Sequence, residues 1–135
     1  MISARRLVLS LCVLLAAVVL TANAALAGDF SGTYSLGAAS AAGDSVQLTI
    51  SITITNNTGA DVRNAVVALH EPKAARVTYG QLTGLVLPAG NGAQVNGSFT
   101  VPRALYDSWQ KGSSPAMSVS FTDAKGNPVR TFIEF

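Results

Sequence analysis

The stretch Ser45-Val-Gln-Leu-Thr-Ile-Ser-Ile-Thr-Ile-Thr55 decides the fold class of this chain. Its apolar residues occupy every second position, and glutamine, serine and threonine fill the positions between them. Successive side chains of a β-strand point to opposite faces, so this order produces one apolar and one polar face. β-Branched residues, which favour strands, make up most of the run. The stretch therefore predicts a half-buried strand of an antiparallel sheet.

Other short apolar runs follow, separated by glycine, proline and asparagine turns. We predict one helical turn over 103–111 and further strands over 30–36, 62–70, 76–81, 82–87, 94–101, 117–122 and 129–135. The alanine- and glycine-rich piece 37–43 is expected to be a flexible connection. Short strands at regular spacing, without a long helix pattern, predict an all-β fold, an immunoglobulin-like antiparallel β-sandwich of about seven strands.

The N-terminal segment has the order of a cleavable signal peptide. Two arginines precede an apolar run over 7–20, which is short for a membrane span. A cut after Ala27 has small side chains at both positions that signal peptidase requires. This predicts a signal peptide over 1–27 and one immunoglobulin-like domain over 28–135. A cut after Ala24 and an uncleaved membrane anchor are the alternatives.

The charge balance changes when the predicted signal peptide is removed. The chain has nine basic and seven acidic residues, and two of the basic ones lie within 1–27, so 28–135 is neutral overall. No cluster of lysine or arginine remains there, so nothing indicates a nucleic-acid partner. The single cysteine, Cys12, also lies in 1–27, so no disulfide braces the domain. We expect an exported protein in the periplasm, at the cell surface or outside the cell, and not an integral membrane protein once processed.

No spacing in the sequence is that of a catalytic, metal or cofactor site. His70 is the only histidine, no Gly-x-Ser-x-Gly turn occurs, and no glycine loop is completed by a lysine and a helix. Zinc and copper need several histidine or cysteine ligands. We interpret His70 and Glu71 as a partly exposed pair at a strand end. The sequence predicts no enzyme, no cofactor and no metal, and it leaves open only carboxylates that meet in space.

Four residues between two predicted strands form the candidate ligand site: Tyr106, Asp107, Trp109 and Gln110. Residues three apart share one face of a helical turn, so Tyr106 and Trp109 could stack on a sugar while Asp107 and Gln110 bond its hydroxyls. In the alternative interpretation, which we favour, the two rings fill one end of the sandwich, because large aromatic side chains dominate small cores.

Two sequences match the acceptor pattern for N-glycosylation, Asn56-Asn-Thr58 and Asn96-Gly-Ser98. The same residue types also occur as ordinary strand residues and as turn residues that form local side-chain hydrogen bonds. We favour the second interpretation for both.

The order of turns resembles that of a bacterial extracellular domain family. A strand ending in Asn56-Asn-Thr-Gly59, a hydrophobic strand, then Leu85-Val-Leu-Pro-Ala-Gly90 and a strand ending in Val101-Pro102 resembles the CARDB-like immunoglobulin-like and fibronectin-III-like domains. The resemblance covers about 46–135. It implies a β-sandwich and a role as an adhesion, spacer or accessory module. The Cys…Trp…Cys spacing of antibody domains is absent from this sequence.

These observations favour a non-catalytic module that is exported and contacts another envelope or extracellular protein. The contact is expected through loops or by addition of an edge strand to the partner. The alternative is a small carbohydrate-binding, lectin-like module that uses Tyr106 and Trp109 on a glycan.

Overall fold

Seven strands and one helix are built from residues 28–135, the part of the chain that the structure, a computed structural model, describes. The helix is α1 (Arg103–Gln110), and the strands are β1 (Phe30–Ala42), β2 (Ser45–Asn56), β3 (Val62–Glu71), β4 (Ala74–Leu87), β5 (Gly92–Pro102), β6 (Ala116–Thr122) and β7 (Pro128–Phe132). The predicted signal peptide, 1–27, lies outside these residues. Within them, no helix is long and apolar enough to cross a membrane.

The strands form two antiparallel sheets that pack face to face. One sheet has the order β1-β2-β5, and the other has the order β4-β3-β6-β7. The chain therefore changes sheet between β2 and β3, between β4 and β5, and again between β5 and β6, as in immunoglobulin-like sandwiches. The prediction of an all-β sandwich of about seven strands is confirmed.

The alternation in β2 places five side chains in the core. Val46, Leu48, Ile50, Ile52 and Ile54 are all buried, whereas the residues between them are exposed or half-buried. β2 pairs with β1 on one side and with β5 on the other, so it is the central strand of its sheet. Opposite it, Ala65, Val67, Leu69, Met117 and Val119 close the core from the second sheet.

The segment 37–43, expected to be a flexible connection, instead continues β1 as far as Ala42. A tight turn at Gly43, where φ is 64°, leads into β2. Arg103 holds this turn, because its N–H donates to Asp44 O at 2.9 Å and its guanidinium donates to Gly43 O at 3.0 Å. The expectation was wrong because pairing with β2 outweighs the weak strand preference of alanine and glycine.

The two short strands predicted over 76–81 and 82–87 are a single strand, β4. Its pairing with β3 shifts register four times, and both Gly80 and Gly84 have positive φ, at 151° and 68°. These bulges look like strand ends in the sequence, but the hydrogen-bonded ladder continues through them. The result is a bent edge strand that leans toward β5.

The final strand ends earlier than predicted, at Phe132 instead of Phe135. Beyond it, Ile133 is buried and Glu134 pairs in parallel with Ser31 of β1. The chain therefore leaves the four-stranded sheet and joins the edge of the other one. Gly126 in the β6–β7 turn adopts a left-handed φ of 83°.

Candidate functional site

The four predicted ligand residues lie on α1, the helix that connects the two sheets between β5 and β6. Leu105 and Trp109 are buried on its inner face. Tyr106 is half-buried and packs against the core, whereas Asp107 and Gln110 are exposed. The helix therefore presents two polar side chains and part of one ring to solvent, so only these could contact a ligand.

Trp109 is a core residue, and only 5% of its surface is exposed. Of the two interpretations of this side chain, the structure shows the one in which its ring fills one end of the sandwich. Its indole Nε1–H is buried without a hydrogen-bond partner among residues 28–135. The ring face is not available to a sugar in this arrangement, so the carbohydrate hypothesis stays a prediction that rests on Tyr106, Asp107 and Gln110.

His70 is buried, with 2% of its surface exposed, so its interpretation as part of a partly exposed pair was wrong. It lies on the outer face of the four-stranded sheet. Its Nδ1–H donates to Ala75 O at 2.7 Å, and its Nε2 lies 2.6 Å from Oγ of Ser118. The ring of Phe132 covers it at a centroid distance of 5.3 Å. These contacts explain the burial, because each polar atom of the ring has a partner.

The distance between His70 and Ser118 is one at which a histidine can take a proton from a serine nucleophile. Three features argue for a structural role instead. Ser118 has no exposed surface, so a substrate cannot reach its Oγ. It lies in β6, which pairs on both sides, so nearby N–H groups are used in the sheet and do not form an oxyanion hole. Ala75 supplies a neutral carbonyl where hydrolases place a carboxylate.

Glu71, the other member of the expected pair, contacts a tyrosine. The Tyr79 hydroxyl donates to Oε2 of Glu71 at 2.8 Å. This hydrogen bond, helped by desolvation and by the nearby negative charge, raises the pKa of Tyr79. The folded state therefore favours the neutral phenol, and this contribution to stability is lost as pH rises through the raised pKa. No group of three or more histidine, cysteine, aspartate and glutamate side chains in the described part of the chain is placed to hold a metal.

The outer side of β1 is open for most of its length. Gly32 donates its N–H to Glu134 O at 2.9 Å, so Gly32 points away from β2. In an antiparallel pair, the backbone N–H and C=O groups of every second residue point away from the partner strand. After the bulge between Leu36 and Ala39, the residues whose groups point away from β2 are Ala39 and Ala41. Every residue over 37–42 is exposed, and no described strand pairs with this side.

The other edges in residues 28–135 carry features that discourage pairing. β4 is bent by its register shifts and carries Arg76, and β7 has only five residues, which include Pro128 and Arg130. β5 faces β4 across the corner of the sandwich, where the Phe99 ring lies over Gly80. β1 has no charged residue and no proline. Apart from its bulge, it is the least protected of the four edges.

Sequence reasoning missed this edge because it assigned 37–43 to a connection. The length of β2 was the available signal. β2 has 12 residues, and a hairpin partner of similar length was needed to pair with all of them. The contact between His70 and Ser118 had no such signal, because the two residues are 48 positions apart.

An open groove of about 1100 Å³ lies at the end of the sandwich where the β2–β3 and β6–β7 loops meet. Val66, Val129 and Pro128 provide apolar surface, and Arg63 and Arg130 provide positive charge. Two carboxylates of the groove are used within the loops: Asp61 accepts the N–H of Ala89 at 2.9 Å, and Asp123 accepts two N–H groups of its own turn. The groove is a concave surface of mixed apolar and charged character.

No protein-family model matches the chain. No curated protein matches it. Among solved structures, the chain is similar to an X-ray structure described as Northeast Structural Genomics Consortium target SoR45. The sequences are 9% identical, the match covers 78% of this chain and 80% of that one, and the TM-score is 0.42. At this identity and TM-score the similarity does not bear on function.

Proposed function

We propose that the protein is an exported, non-catalytic binding module that contacts another envelope or extracellular protein by strand addition at β1. The observation that carries the proposal is the open edge over 37–42, which is exposed at every residue and has neither charge nor proline. Free backbone N–H and C=O groups at a sheet edge pair readily with an extended segment of another chain. Such pairing needs no catalytic group.

The partner that fits this edge is an exported protein with an extended segment that has few bulky side chains next to β1. The side chains of 37–42 are glycine, alanine and serine, so they offer little apolar area and no charge. The affinity must therefore come mainly from main-chain hydrogen bonds, with specificity supplied by neighbouring surfaces. The CARDB-like resemblance supports the same class of role, since such domains act as adhesion or accessory modules.

Proline substitutions at outward-pointing positions test the proposal. Ala41→Pro removes an N–H that points to solvent, so the fold should survive while a partner strand loses a hydrogen bond and meets the proline ring. Ala41→Thr keeps the N–H and favours strands. Gln94→Pro is the matched control on β5, the opposite edge of the same sheet, where the alternation also directs the N–H outward.

The assay is cross-linking of the tagged protein in its native host, followed by mass spectrometry of what co-purifies. We expect one exported protein to be captured by the wild type, Ala41→Thr and Gln94→Pro, and to be lost with Ala41→Pro. Thermal melts confirm that the variants fold. Equal capture by all four proteins would reject β1 as the binding surface, and capture of a glycan without a protein would favour the lectin hypothesis.

Export is tested separately by the intact mass of the protein recovered outside the cytoplasm. Cleavage after Ala27 gives a chain that begins at Gly28, and cleavage after Ala24 gives one that begins at Ala25. A full-length chain that stays with the membrane fraction would contradict the proposed processing.

A further inference from the structure

Two Asn–Gly pairs occur in β5 and the turn before it, Asn91–Gly92 and Asn96–Gly97. In such a pair the backbone nitrogen of glycine can attack the side-chain amide carbon of asparagine, because glycine has no Cβ to obstruct the approach. We propose that Asn91 is a site of spontaneous deamidation in the folded protein and that Asn96 is protected by the sheet.

The first observation is the position of Asn91 in the β4–β5 turn. Gly90 and Gly92 on either side of it are exposed, as Asn91 itself is, and Gly90 adopts a left-handed φ of 74°. A glycine-flanked asparagine in an exposed turn can sample the backbone rotation that brings Cγ to the next nitrogen. Residues 90–92 are all exposed, and the hydrogen bond from Gly90 N to Asn56 O lies before the bonds of Asn91 that must rotate, so this rotation costs little.

The second observation comes from the register of the three-stranded sheet. The N–H of Gly32 points away from β2, so Ile54, which lies opposite it, directs its own N–H and C=O toward β5 and pairs with Ala93. Four residues along β2, Ile50 has the same orientation and faces Gly97. The nitrogen of Gly97 is therefore used in the ladder, whereas that of Gly92 points away from β2.

Packing adds to the protection of the second pair. Gly97 is buried, and a Cβ placed on it would lie 2.8 Å from Cε2 of Phe99 and 3.0 Å from Cδ2 of Leu82. The attack at Asn96 needs its backbone to turn about Gly97, which would break the pairing with β2 and displace the Phe99 ring. Asn96 is exposed, so the protection comes from the backbone and not from burial of its side chain.

The reaction needs only water as a co-reactant. The nitrogen of Gly92 loses its proton and bonds to Cγ of Asn91, and the bond from Cγ to the amide nitrogen breaks, releasing ammonia. Water then opens the resulting succinimide ring at one of its two carbonyls, to aspartate or isoaspartate. Each product adds one negative charge to the β4–β5 turn, and isoaspartate also adds a backbone carbon where pairing with Thr55 begins.

The test is incubation of the purified folded protein at mildly alkaline pH, with peptide mapping over time. One tryptic peptide, 77–103, contains both asparagines, so fragment spectra give their conversion ratio within the same molecule. We expect a mass gain of one dalton at Asn91 and not at Asn96, and methylation of the product by an isoaspartate methyltransferase. Gly92→Ala should slow the conversion several-fold, and Asn91→Gln should nearly abolish it.

A parallel incubation in urea separates protection by the fold from local sequence. Both asparagines precede glycine, so the unfolded chain should convert them at similar rates. Equal rates at the two sites in the folded protein, or faster conversion at Asn96, would overturn the proposal. So would a folded protein that stays unmodified at Asn91 while the unfolded chain reacts.

Discussion

Replacing Asn56 with alanine should lower the free energy of unfolding by about 2–4 kcal/mol, because the Asn56 side chain makes four hydrogen bonds at the end of β2. Its Nδ2 donates to Ala60 O and to Leu87 O, each at 2.8 Å. Its Oδ1 accepts the N–H of Thr58 at 3.0 Å and the hydroxyl of Thr58 at 2.7 Å. The whole hydrogen-bonding capacity of the amide is used.

The magnitude follows from how accessible each partner is to water. Asn56 is 1% exposed, and its bond to Leu87 O is buried, so that carbonyl stays unpaired when the amide is removed. Thr58 and Ala60 are exposed and can be hydrated again. Loss of the buried bond to Leu87 O therefore costs about 1.5 kcal/mol or more. Loss of each of the other three bonds costs about 0.5 kcal/mol. The melting temperature should fall by about 10–25 °C.

A second variant, Asn56→Asp, keeps the shape and the acceptor for Thr58 but replaces the donor. The new oxygen would face two carbonyl oxygens, and the charge would be buried, so the loss at neutral pH should exceed that of Asn56→Ala. The folded state would then bind a proton more tightly than the unfolded chain, whose aspartate pKa is about 3.9. Stability of this variant should recover as pH falls through the raised folded-state pKa, and the alanine variant should show no such recovery.

Urea denaturation followed by tryptophan fluorescence measures both variants, with Asn57→Ala as the control. The amide of Asn57 makes two exposed bonds of 3.1 Å, to Gly28 O and to Oγ of Ser31, so its removal should cost less than about 1 kcal/mol. A loss at Asn56 no larger than that at Asn57 would refute the reasoning. So would an Asn56→Asp variant that is as stable as the wild type at neutral pH.

Substitutions at three further positions, Trp109, Ser118 and Gly97, test how buried groups and close packing contribute to stability. Trp109→Phe should change the free energy of unfolding by less than about 1.5 kcal/mol, because it keeps an aromatic ring and removes an unpaired N–H. Trp109→Ala should lower it by about 3–5 kcal/mol in the same denaturation assay. Equal losses in the two variants would contradict this prediction. Ser118→Ala should cost about 1–3 kcal/mol by leaving His70 Nε2 without its partner. The folded wild type should not react with a fluorophosphonate probe, and labelling at Ser118 would show that the serine is accessible and reactive. Gly97→Ala should cost about 1–3 kcal/mol, because its Cβ would lie 2.8 Å from the buried ring of Phe99. Gly92→Ala is the control, since its Cβ would meet only one methyl group, at 3.2 Å. Its loss of stability in a thermal melt should be clearly smaller.

The half-buried strand β2 was predictable because its periodicity is a local property of the sequence. Five alternating apolar residues and a terminating Asn56-Asn-Thr-Gly59 give both the strand and the turn after it. What the sequence does not display is that Asn56 is buried under the end of β4. That depends on Leu87, which is 31 residues away. Burial and hydrogen bonding of Asn56 also favour its interpretation as a turn residue over that of a glycan acceptor.

The second half of β1 and the continuity of β4 could not be predicted from local propensity. Alanine and glycine favour a connection over 37–43, yet β2 supplies a pairing partner that overrides them. In β4, Gly80 and Gly84 resemble breaks, and only the ladder with β3 shows that they are bulges. Both errors come from reading a nonlocal pairing as a local preference.

The helix that carries the candidate ligand residues was predicted, whereas their role in binding stays a prediction. The sequence places Tyr106, Asp107, Trp109 and Gln110 on one short helix, and α1 confirms this. Spacing alone does not determine which ring enters the core, because this depends on how the helix packs against the sandwich after β5. The contact of His70 with Ser118 joins two strands far apart in sequence, so a lone histidine gave no indication of it.

The parallel pairing of Glu134 with Ser31 also determines how the domain would respond to a pulling force. Two hydrogen bonds form there, from Gly32 N to Glu134 O at 2.9 Å and from Glu134 N to Phe30 O at 3.0 Å. Because the two segments are parallel, tension applied between residues 28 and 135 slides them lengthwise past each other. The two bonds then share the load and must break together, whereas an antiparallel hairpin pulled from its open end would unzip one bond at a time. The domain therefore carries a small shear clamp between its first strand and its last residues.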